Sequence, residues 1–143
     1  MTCIAYDKKG GTISVDSRTS GKGHIYTDKT IKFIHMDDGG IAFFCGSWAK
    51  VLEIKQKMRE GEDWKLAVDD NVTVVVSYPT GRVEEFRDSQ YGHLIDDSEA
   101  WGSGDNYALG ALFAGATSER AVKAAIRYHG TCGGKVHTFK TKR

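Results

Sequence analysis

Residues 2–18, TCIAYDKKGGTISVDSR, carry most of the information about the fold of this 143-residue chain. Two runs rich in strand formers, 2–6 and 12–16, flank the turn residues DKKGG, which predicts a β-hairpin. The first strand follows the initiator methionine almost at once, whereas most domains begin with a few expendable polar residues. The sequence therefore suggests that Thr2, after removal of Met1, is a chemical group held in place by the fold.

The composition is typical of one globular domain spanning residues 1–143, with 40% hydrophobic and 27% charged residues. A net charge of +1 and scattered basic residues give no reason to expect nucleic-acid binding. No apolar stretch approaches the roughly 20 residues of a membrane span, and the charged segment 7–9 interrupts any signal peptide. Three widely spaced cysteines suit a reducing compartment. We expect a cytoplasmic protein that contacts neither membrane nor nucleic acid.

Hairpins and helices follow in blocks. We predict a loop over SRTSGKGHIYTD at residues 17–28 and two further hairpins at residues 31–46 and 71–87. A closing strand is predicted at residues 134–142. Apolar residues recur with helical spacing over WAKVLEIKQKMR, with Ser47 as N-cap and Gly61 beyond the end. We also predict a weakly helical segment at residues 62–70 and a helix at residues 102–116. A last helix is predicted at residues 119–129, with Ser118 as its N-cap. This order favours an α+β fold with two antiparallel sheets and helices outside.

Five short motifs occur in a specific order: MTCIAYD, SVDSR, the lysine in TIKFI, FFCGS before a helix, and GSGDNYALG. Together they resemble the N-terminal nucleophile (Ntn) hydrolases of the proteasome β-subunit and HslV type. The resemblance implies a four-layer αββα sandwich over the whole chain, with the second helix of the first helical layer truncated. Small size and a start without a propeptide are similar to the shortened members of this family found in bacterial viruses. The implied location is then the cytosol of a bacterium or of a phage-infected host.

The resemblance also implies catalytic roles. Thr2 is the expected nucleophile, and its own α-amine is the base, since a threonine hydroxyl is a poor nucleophile until a base removes its proton. Lys32 is expected to favour the alkoxide and Asp16 to compensate the lysine's charge. The Gly46 amide is the expected oxyanion donor, and Ser103 is expected to bind near the amine. Each residue also has an ordinary structural interpretation, such as a turn cap for Asp16.

The C-terminal segment YHGTCGG departs from the family pattern. His129 stands where the family has an aspartate that assists the threonine, and Cys132 stands where it has a serine. A neutral histidine can accept a hydrogen bond in that place, whereas a cationic one repels an α-ammonium. Together with His137 these residues also suggest zinc, but a fourth ligand is missing, so we expect neither a metal nor another cofactor.

A specificity pocket is expected beside the catalytic residues, and its apolar character predicts cleavage after hydrophobic residues. The expected lining residues are Thr19, Thr30, Ile34, Phe44, Trp48 and Leu52.

Two classes of function are consistent with the sequence. The first is a threonine-type peptidase acting on peptides or unfolded protein, assembled as a homo-oligomer such as a ring or a dimer of rings. An ATPase partner has no support in the sequence. The second is a non-catalytic relative that keeps the fold for assembly or partner binding. Retention of Asp16, Lys32 and Ser103 favours the first class, whereas His129 and the truncated helix favour the second.

Overall fold

A computed structural model describes residues 2–143; Met1, whose removal the hypothesis about Thr2 requires, lies outside the described residues. The strands are β1 (Ile4–Asp7), β2 (Thr12–Val15), β3 (Thr19–Gly21), β4 (His24–Thr27), β5 (Phe33–His35), β6 (Ile41–Gly46), β7 (Val72–Ser77), β8 (Val83–Arg87), β9 (His93–Leu94), β10 (Glu99–Trp101) and β11 (His137–Lys140). The helices are α1 (Trp48–Arg59), α2 (Asp105–Phe113) and α3 (Ser118–Tyr128), with a short 3-10 helix at Lys65–Ala67.

The strands form two antiparallel sheets and one separate hairpin. The first sheet has the order β10-β1-β2-β11, the second has the order β5-β6-β7-β8-β9, and β3 pairs with β4 alone. In the first sheet Ile4 lies opposite both Val15 and Trp101, so the N-terminal strand is central. The residues just before β1 are therefore held between two neighbouring strands, which fixes the position of Thr2.

Side-chain alternation along β6 separates the layers. Phe43 and Cys45 face the first sheet and belong to the core between the sheets, whereas Ala42 and Phe44 face the opposite way, toward Val51 of α1. This alternation follows from the period of two in a strand. Each fully buried Phe side chain contributes about 1.5–3 kcal/mol through removal of apolar surface from water.

Small residues fill the third interface, between the first sheet and the helices α2 and α3. Ala5, Ala108 and Ala125 are fully buried there together with Cys3 and Cys132. Small side chains allow the helices to approach the sheet closely. The layers are therefore α1, the five-stranded sheet, the four-stranded sheet, and the pair α2 and α3, which confirms the predicted αββα sandwich.

Several local predictions are confirmed and others are wrong. The helix at 48–59 and the two later hairpins occur as predicted. In the described segment between α1 and β7 the helical element is the short 3-10 helix Lys65–Ala67, consistent with a truncated second helix. The segment 17–28 is not all loop, because β3 and β4 pair within it. Thr117, not Ser118, caps α3, since its side chain accepts a hydrogen bond from the Arg120 N–H. Ser47 occupies the N-cap of α1 without a side-chain capping bond.

Candidate active site

Thr2 precedes β1 and lies beside a cavity. Its side chain and backbone are 6% exposed, and its carbonyl oxygen accepts hydrogen bonds from the Gly104 N–H at 3.3 Å and the Ser103 hydroxyl at 3.4 Å. The adjacent cavity has a volume of about 400 Å³. It is lined by Thr2, Cys45, Gly46, Asp70, Asn71, Val72, Thr73, Arg87, Gly102 and Ser103.

The ion pair of Lys32 and Asp16 is buried, and its carboxylate accepts a hydrogen bond from the residue after Thr2. The Lys32 ammonium donates to Oδ1 of Asp16 at 2.9 Å, and the two residues are 2% and 0% exposed. The same Oδ1 accepts the Cys3 N–H at 3.1 Å, and Oδ2 accepts the Gly133 N–H at 3.0 Å. Burying two charges costs free energy that good geometry and further hydrogen bonds must offset. This carboxylate therefore joins the N-terminal segment, the residue before β5 and the C-terminal turn at one point.

Two glycines hold the cavity walls close to their neighbours. A Cβ on Gly46 would lie 2.3 Å from the Asn71 carbonyl oxygen, and one on Gly102 would lie 2.1 Å from the Thr2 carbonyl oxygen. Both have positive φ, +116° and +95°, a region that side chains disfavour. A side chain at either position would displace the backbone that lines the cavity.

We expect Gly102→Ala to lower the free energy of unfolding by about 3–5 kcal/mol, because backbone strain and a clash with Thr2 add. Gly115→Ala is the matched control, since Gly115 has φ +97° but open space around its Cβ position. The control should cost only the strain, about 1–3 kcal/mol. Urea unfolding measures both, and equal losses would mean that the contact with Thr2 has no energetic weight.

Ser103 connects Thr2 to the C-terminal turn through a residue that the sequence did not indicate. Its hydroxyl lies 3.0 Å from Oγ1 of Thr131, which in turn lies 2.7 Å from Nδ1 of His129. Within residues 2–143, the polar contacts of the His129 ring are with Thr131 and not with Thr2. His129 is therefore connected to Ser103 through Thr131, and its correspondence to the family's aspartate stays a prediction. Thr131 was missed because its contact with Ser103 spans 28 residues.

The three cysteines are buried: Cys3 follows Thr2, Cys45 lines the cavity, and Cys132 Sγ lies 4.0 Å from the Ser103 hydroxyl. A hydrogen bond with Cys132, and to a smaller extent burial, raises the pKa of the Cys3 thiol. The same hydrogen bond lowers the pKa of the Cys132 thiol. Burial raises the pKa of Cys45, which lines the cavity, to about 11. Since thiolates and not thiols are the nucleophiles, Cys45 at neutral pH is not a competing nucleophile in this cavity.

None of the six predicted pocket residues lines the cavity beside Thr2. Thr19 and Thr30 share a hydrogen bond between their hydroxyl groups. Phe44 is 1% exposed in the core beneath α1, with Ile34 packed against the same core. Trp48 and Leu52 lie on α1 with 38% and 49% exposure, so they belong to a neighbouring surface. The cavity instead includes Thr73 and Arg87 from the adjoining strands.

Lys55 lies beside two of the predicted pocket residues, Phe44 and Trp48. Lys55 is 5% exposed, its ammonium donates to the Ile31 carbonyl, and the nitrogen lies 5.6 Å from the ring centre of Phe44 and 5.4 Å from that of Trp48. Burial, and to a smaller extent the charge of Arg59, lowers the pKa of Lys55. The surface beside Phe44 and Trp48 is therefore less apolar than the sequence-based prediction supposed.

We expect Lys55→Met to change the free energy of unfolding at pH 7 by less than about 1 kcal/mol, because relief from burying a charge offsets the lost hydrogen bond. A lowered folded-state pKa means that the unfolded chain binds more protons. The free-energy cost of burying the charged ammonium therefore applies in full below the folded-state pKa. It decreases as the pH rises toward the ordinary pKa of lysine. Wild type should gain stability relative to Lys55→Met between pH 7 and 10. Urea titrations at several pH values measure this difference, and a constant difference would contradict it.

Within residues 2–143, no group of three or more His, Cys, Asp or Glu side chains is arranged to hold a metal ion. His129, Cys132 and His137 are thus not brought together as a zinc site. In the same part of the chain, no helix combines the length and apolarity that crossing a membrane requires.

Comparison with known proteins identifies the fold through structures alone. No family model matches the sequence, and no curated protein sequence is significantly similar to it. Thiobacillus denitrificans BPH in complex with Epoxomicin is 19% identical, with a TM-score of 0.76 and coverage of 99% of both chains. Eukaryotic HslV from Trypanosoma brucei is 16% identical, with a TM-score of 0.71 and coverage of 96% of this chain and 99% of that chain.

These similarities define the class of fold. The chain has an Ntn-hydrolase fold, with two antiparallel sheets between helices. More particularly, it is the fold of the HslV and proteasome β-subunit type, as the resemblance in the sequence predicted.

Proposed function

We propose that this chain is a threonine-type endopeptidase that uses Thr2 as its nucleophile once Met1 is removed. One observation carries the proposal: Thr2 borders a cavity, and the backbone N–H of the next residue, Cys3, donates a hydrogen bond to Asp16 of the buried Asp16–Lys32 ion pair. A buried ion pair is weak evidence for stability, since apolar residues of similar volume often serve as well. Its place directly beside a potential nucleophile supports a chemical role.

The proposed reaction begins with proton transfer within Thr2. The free α-amine, whose ordinary pKa of roughly 7.7–8.0 suits neutral pH, takes the proton of the hydroxyl. Oγ1 attacks the scissile carbonyl carbon, and the carbonyl π electrons move onto oxygen. Collapse of this tetrahedral species breaks the C–N bond, and the leaving amine takes the proton from the α-ammonium. Water then hydrolyses the acyl-enzyme, again with the α-amine as base.

Charge stabilisation is assigned to Lys32 and Gly46. The ammonium of Lys32 would stabilise the developing alkoxide, and Asp16 orients it through the bond of 2.9 Å. The Gly46 N–H, in the wall of the same cavity, is the proposed oxyanion donor. Loss of one such donor typically costs about 10²–10³ in rate.

Peptides or unfolded protein segments are the proposed substrates, because an extended chain can present its carbonyl to Thr2 in a cavity of about 400 Å³. A cytoplasmic homo-oligomer, a ring or a pair of rings, is the proposed working form. The exposed aromatic side chains of Tyr107, Phe113 and Tyr128 on the α2 and α3 layer support contacts between subunits. An ATPase partner is not part of the proposal.

A second candidate function is a non-catalytic protein that acts by assembly or partner binding. The observation that favours it is the histidine at position 129, whose ring contacts Thr131 instead of offering a carboxylate to the site. In that case the Asp16 and Lys32 pair would be retained only to join three segments of the chain.

Hydrolysis of peptide reporters distinguishes the two functions. The protein with a free Thr2 amine is incubated with fluorogenic peptides that have apolar, acidic or basic residues before the scissile bond. We expect cleavage that is lost when the N-terminus is extended by a non-removable tag, because the amine is then an amide. Absence of cleavage with every reporter, or equal cleavage by the extended chain, favours the second function.

A further inference from the structure

A second cavity lies at the end of the sandwich opposite Thr2. Thr2 precedes β1, whereas this cavity lies where β1 ends and the turn to β2 begins. The extended chain between the two covers about 20 Å. The volume of the cavity is about 520 Å³, which is within the range of sites for small molecules. Its walls come from the β1–β2 turn, the β7–β8 turn and the segment that includes the end of β11.

Four lysines line this cavity, and no acidic residue does. Lys8 and Lys9 belong to the turn after β1, whereas Lys140 and Lys142 come more than 130 positions later. The antiparallel pairing of β2 with β11 brings the two groups together, because Thr12 lies opposite Lys140. These basic residues are therefore scattered in the sequence but clustered in the fold.

The charges of these lysines are not compensated by carboxylates. Within residues 2–143, none of the four ammonium groups forms an ion pair. The Lys8 ammonium donates to the backbone carbonyl of Asp96. The carboxylate residues Asp7 and Asp97 line a neighbouring cavity beside α2. A concave surface lined by one sign of charge attracts ligands of the opposite sign, so this cavity favours an anion.

Two buried hydroxyl groups line the same cavity. Tyr6 and Thr141 are each 4% exposed, and in the part of the chain that the structure describes neither hydroxyl takes part in a hydrogen bond. Buried polar groups nearly always have a partner, so two such hydroxyls in one cavity indicate a missing acceptor. Burial, and to a smaller extent the charges of Asp7 and Asp97, raises the pKa of Tyr6. Its hydroxyl therefore keeps its proton at neutral pH and can donate it.

The backbone holds these donors in place. The Thr141 N–H donates to the Gly11 carbonyl at 3.0 Å, and Lys142 forms an isolated β-bridge with Thr80. The stem of Lys142 lies directly against Gly81, where an added Cβ would be 2.9 Å from the lysine Cγ. Donors that are ordered before a ligand arrives reduce the entropy cost of binding.

We propose that this cavity is a binding site for an anion made of linked phosphate groups. Its oxygens accept hydrogen bonds from the four ammonium groups and from the hydroxyls of Tyr6 and Thr141. Phosphate oxygens form strong charge-assisted hydrogen bonds, and linked phosphates carry several charges in a short length. An acidic peptide spreads its carboxylates along an extended segment, so the compact lysine cluster fits the phosphate chain better. The site is at the far end of β1 from Thr2 and does not depend on the proposed peptidase activity.

Calorimetric titration of the full chain with sodium tripolyphosphate tests the inference. We expect saturable binding whose affinity falls about tenfold or more between about 50 and 200 mM NaCl, because salt screens the lysine charges. Lys140→Gln and Lys142→Gln should each weaken binding about tenfold, since each removes a charged donor. Lys123→Gln is the matched control, because it removes an exposed lysine that pairs with Glu119 on α3. Its Kd should equal that of wild type.

Thr141→Val distinguishes a built site from general attraction to a positive surface. Valine keeps the shape and the charge of the cavity but removes one hydroxyl donor. Binding of tripolyphosphate should weaken about fivefold, the effect of one hydrogen bond. The midpoint of urea unfolding should not fall, because the hydroxyl has no partner within the described chain to lose. Unchanged affinity in Thr141→Val would mean that the lysines attract anions without a defined site, and the inference would be overturned.

Parallel titrations with ATP and with tetraglutamate identify the source of the anion. Tighter binding of ATP than of tripolyphosphate indicates a nucleotide, and ATP binding that is equal or weaker indicates a free phosphate chain. Either result supports the site. The inference fails if tripolyphosphate does not bind saturably, if Lys140→Gln binds it as wild type does, or if tetraglutamate binds more tightly. None of these measurements uses cleavage, so failure of this inference and failure of the proposed function are distinguishable.

Discussion

Thr2→Ala is expected to lower peptide cleavage by about 10⁴-fold or more, because removal of a nucleophile abolishes the acyl-enzyme route. The fold should be unaffected, since the bonds from Gly104 and Ser103 to residue 2 use its backbone carbonyl oxygen. Cleavage of fluorogenic peptides and urea unfolding, measured on the same preparations, test the two parts separately.

Thr2→Ser and Thr2→Val are the matched controls for this result. Serine keeps the hydroxyl and should retain most of the activity, whereas valine keeps the shape and should be as inactive as alanine. Activity of Thr2→Val within tenfold of wild type would mean that the hydroxyl is not the attacking group, and the site would then require another nucleophile.

Asp16→Ala is expected to reduce the free energy of unfolding by about 3–5 kcal/mol and to abolish cleavage. The substitution removes the carboxylate that binds the Lys32 ammonium and the N–H groups of Cys3 and Gly133. Removing one partner of a buried ion pair typically costs this amount, because the other charge loses its compensation. Urea unfolding gives the stability, and peptide reporters give the activity.

Lys32→Met separates the two contributions. It removes the charge that the proposed mechanism needs but leaves the two backbone N–H groups on the Asp16 carboxylate. We therefore expect a smaller loss of stability than in Asp16→Ala with an equally complete loss of cleavage. In the double variant the losses of stability should be less than additive, because the residues are in contact. Additive losses, or full activity in Lys32→Met, would contradict the assigned role.

Strong local patterns explain which elements could be predicted from the sequence. The helix at 48–59 has apolar residues at helical spacing between Ser47 and Gly61, and its bounds agree with α1. The hairpin of β7 and β8 has strand-forming residues around a turn with Pro79 and Gly81. These signals are contained within about fifteen residues and depend little on the rest of the fold.

The missed elements have weak patterns because tertiary contacts define them. All four residues of β4, His24–Thr27, are exposed, so no alternation of apolar and polar residues indicates a strand. Strand β10 was missed because its three residues pair with β1, more than ninety positions earlier in the chain. Short strands of this kind are determined by their partner and not by their own sequence.

The site follows the same division. Thr2, Asp16, Lys32 and Ser103 were selected through the resemblance, and the contacts of Asp16 with the Cys3 N–H and the Lys32 ammonium bring three of their segments together. Thr131 had no such signal, because its partners Ser103 and His129 are brought to it by the fold. The cavity residue Arg87 likewise comes from a strand far from the motifs.

Intact-protein mass spectrometry with epoxomicin tests the central claim most directly. An epoxyketone has two electrophilic carbons, which match the hydroxyl and the adjacent free amine of an N-terminal threonine. The similar BPH of Thiobacillus denitrificans has been solved in complex with the same compound. We expect the mass of residues 2–143 plus one probe in wild type and no adduct in Thr2→Ala. A chain that retains Met1 and takes up no probe, or an equal adduct in Thr2→Ala, would contradict the claim that Thr2 is an active N-terminal nucleophile.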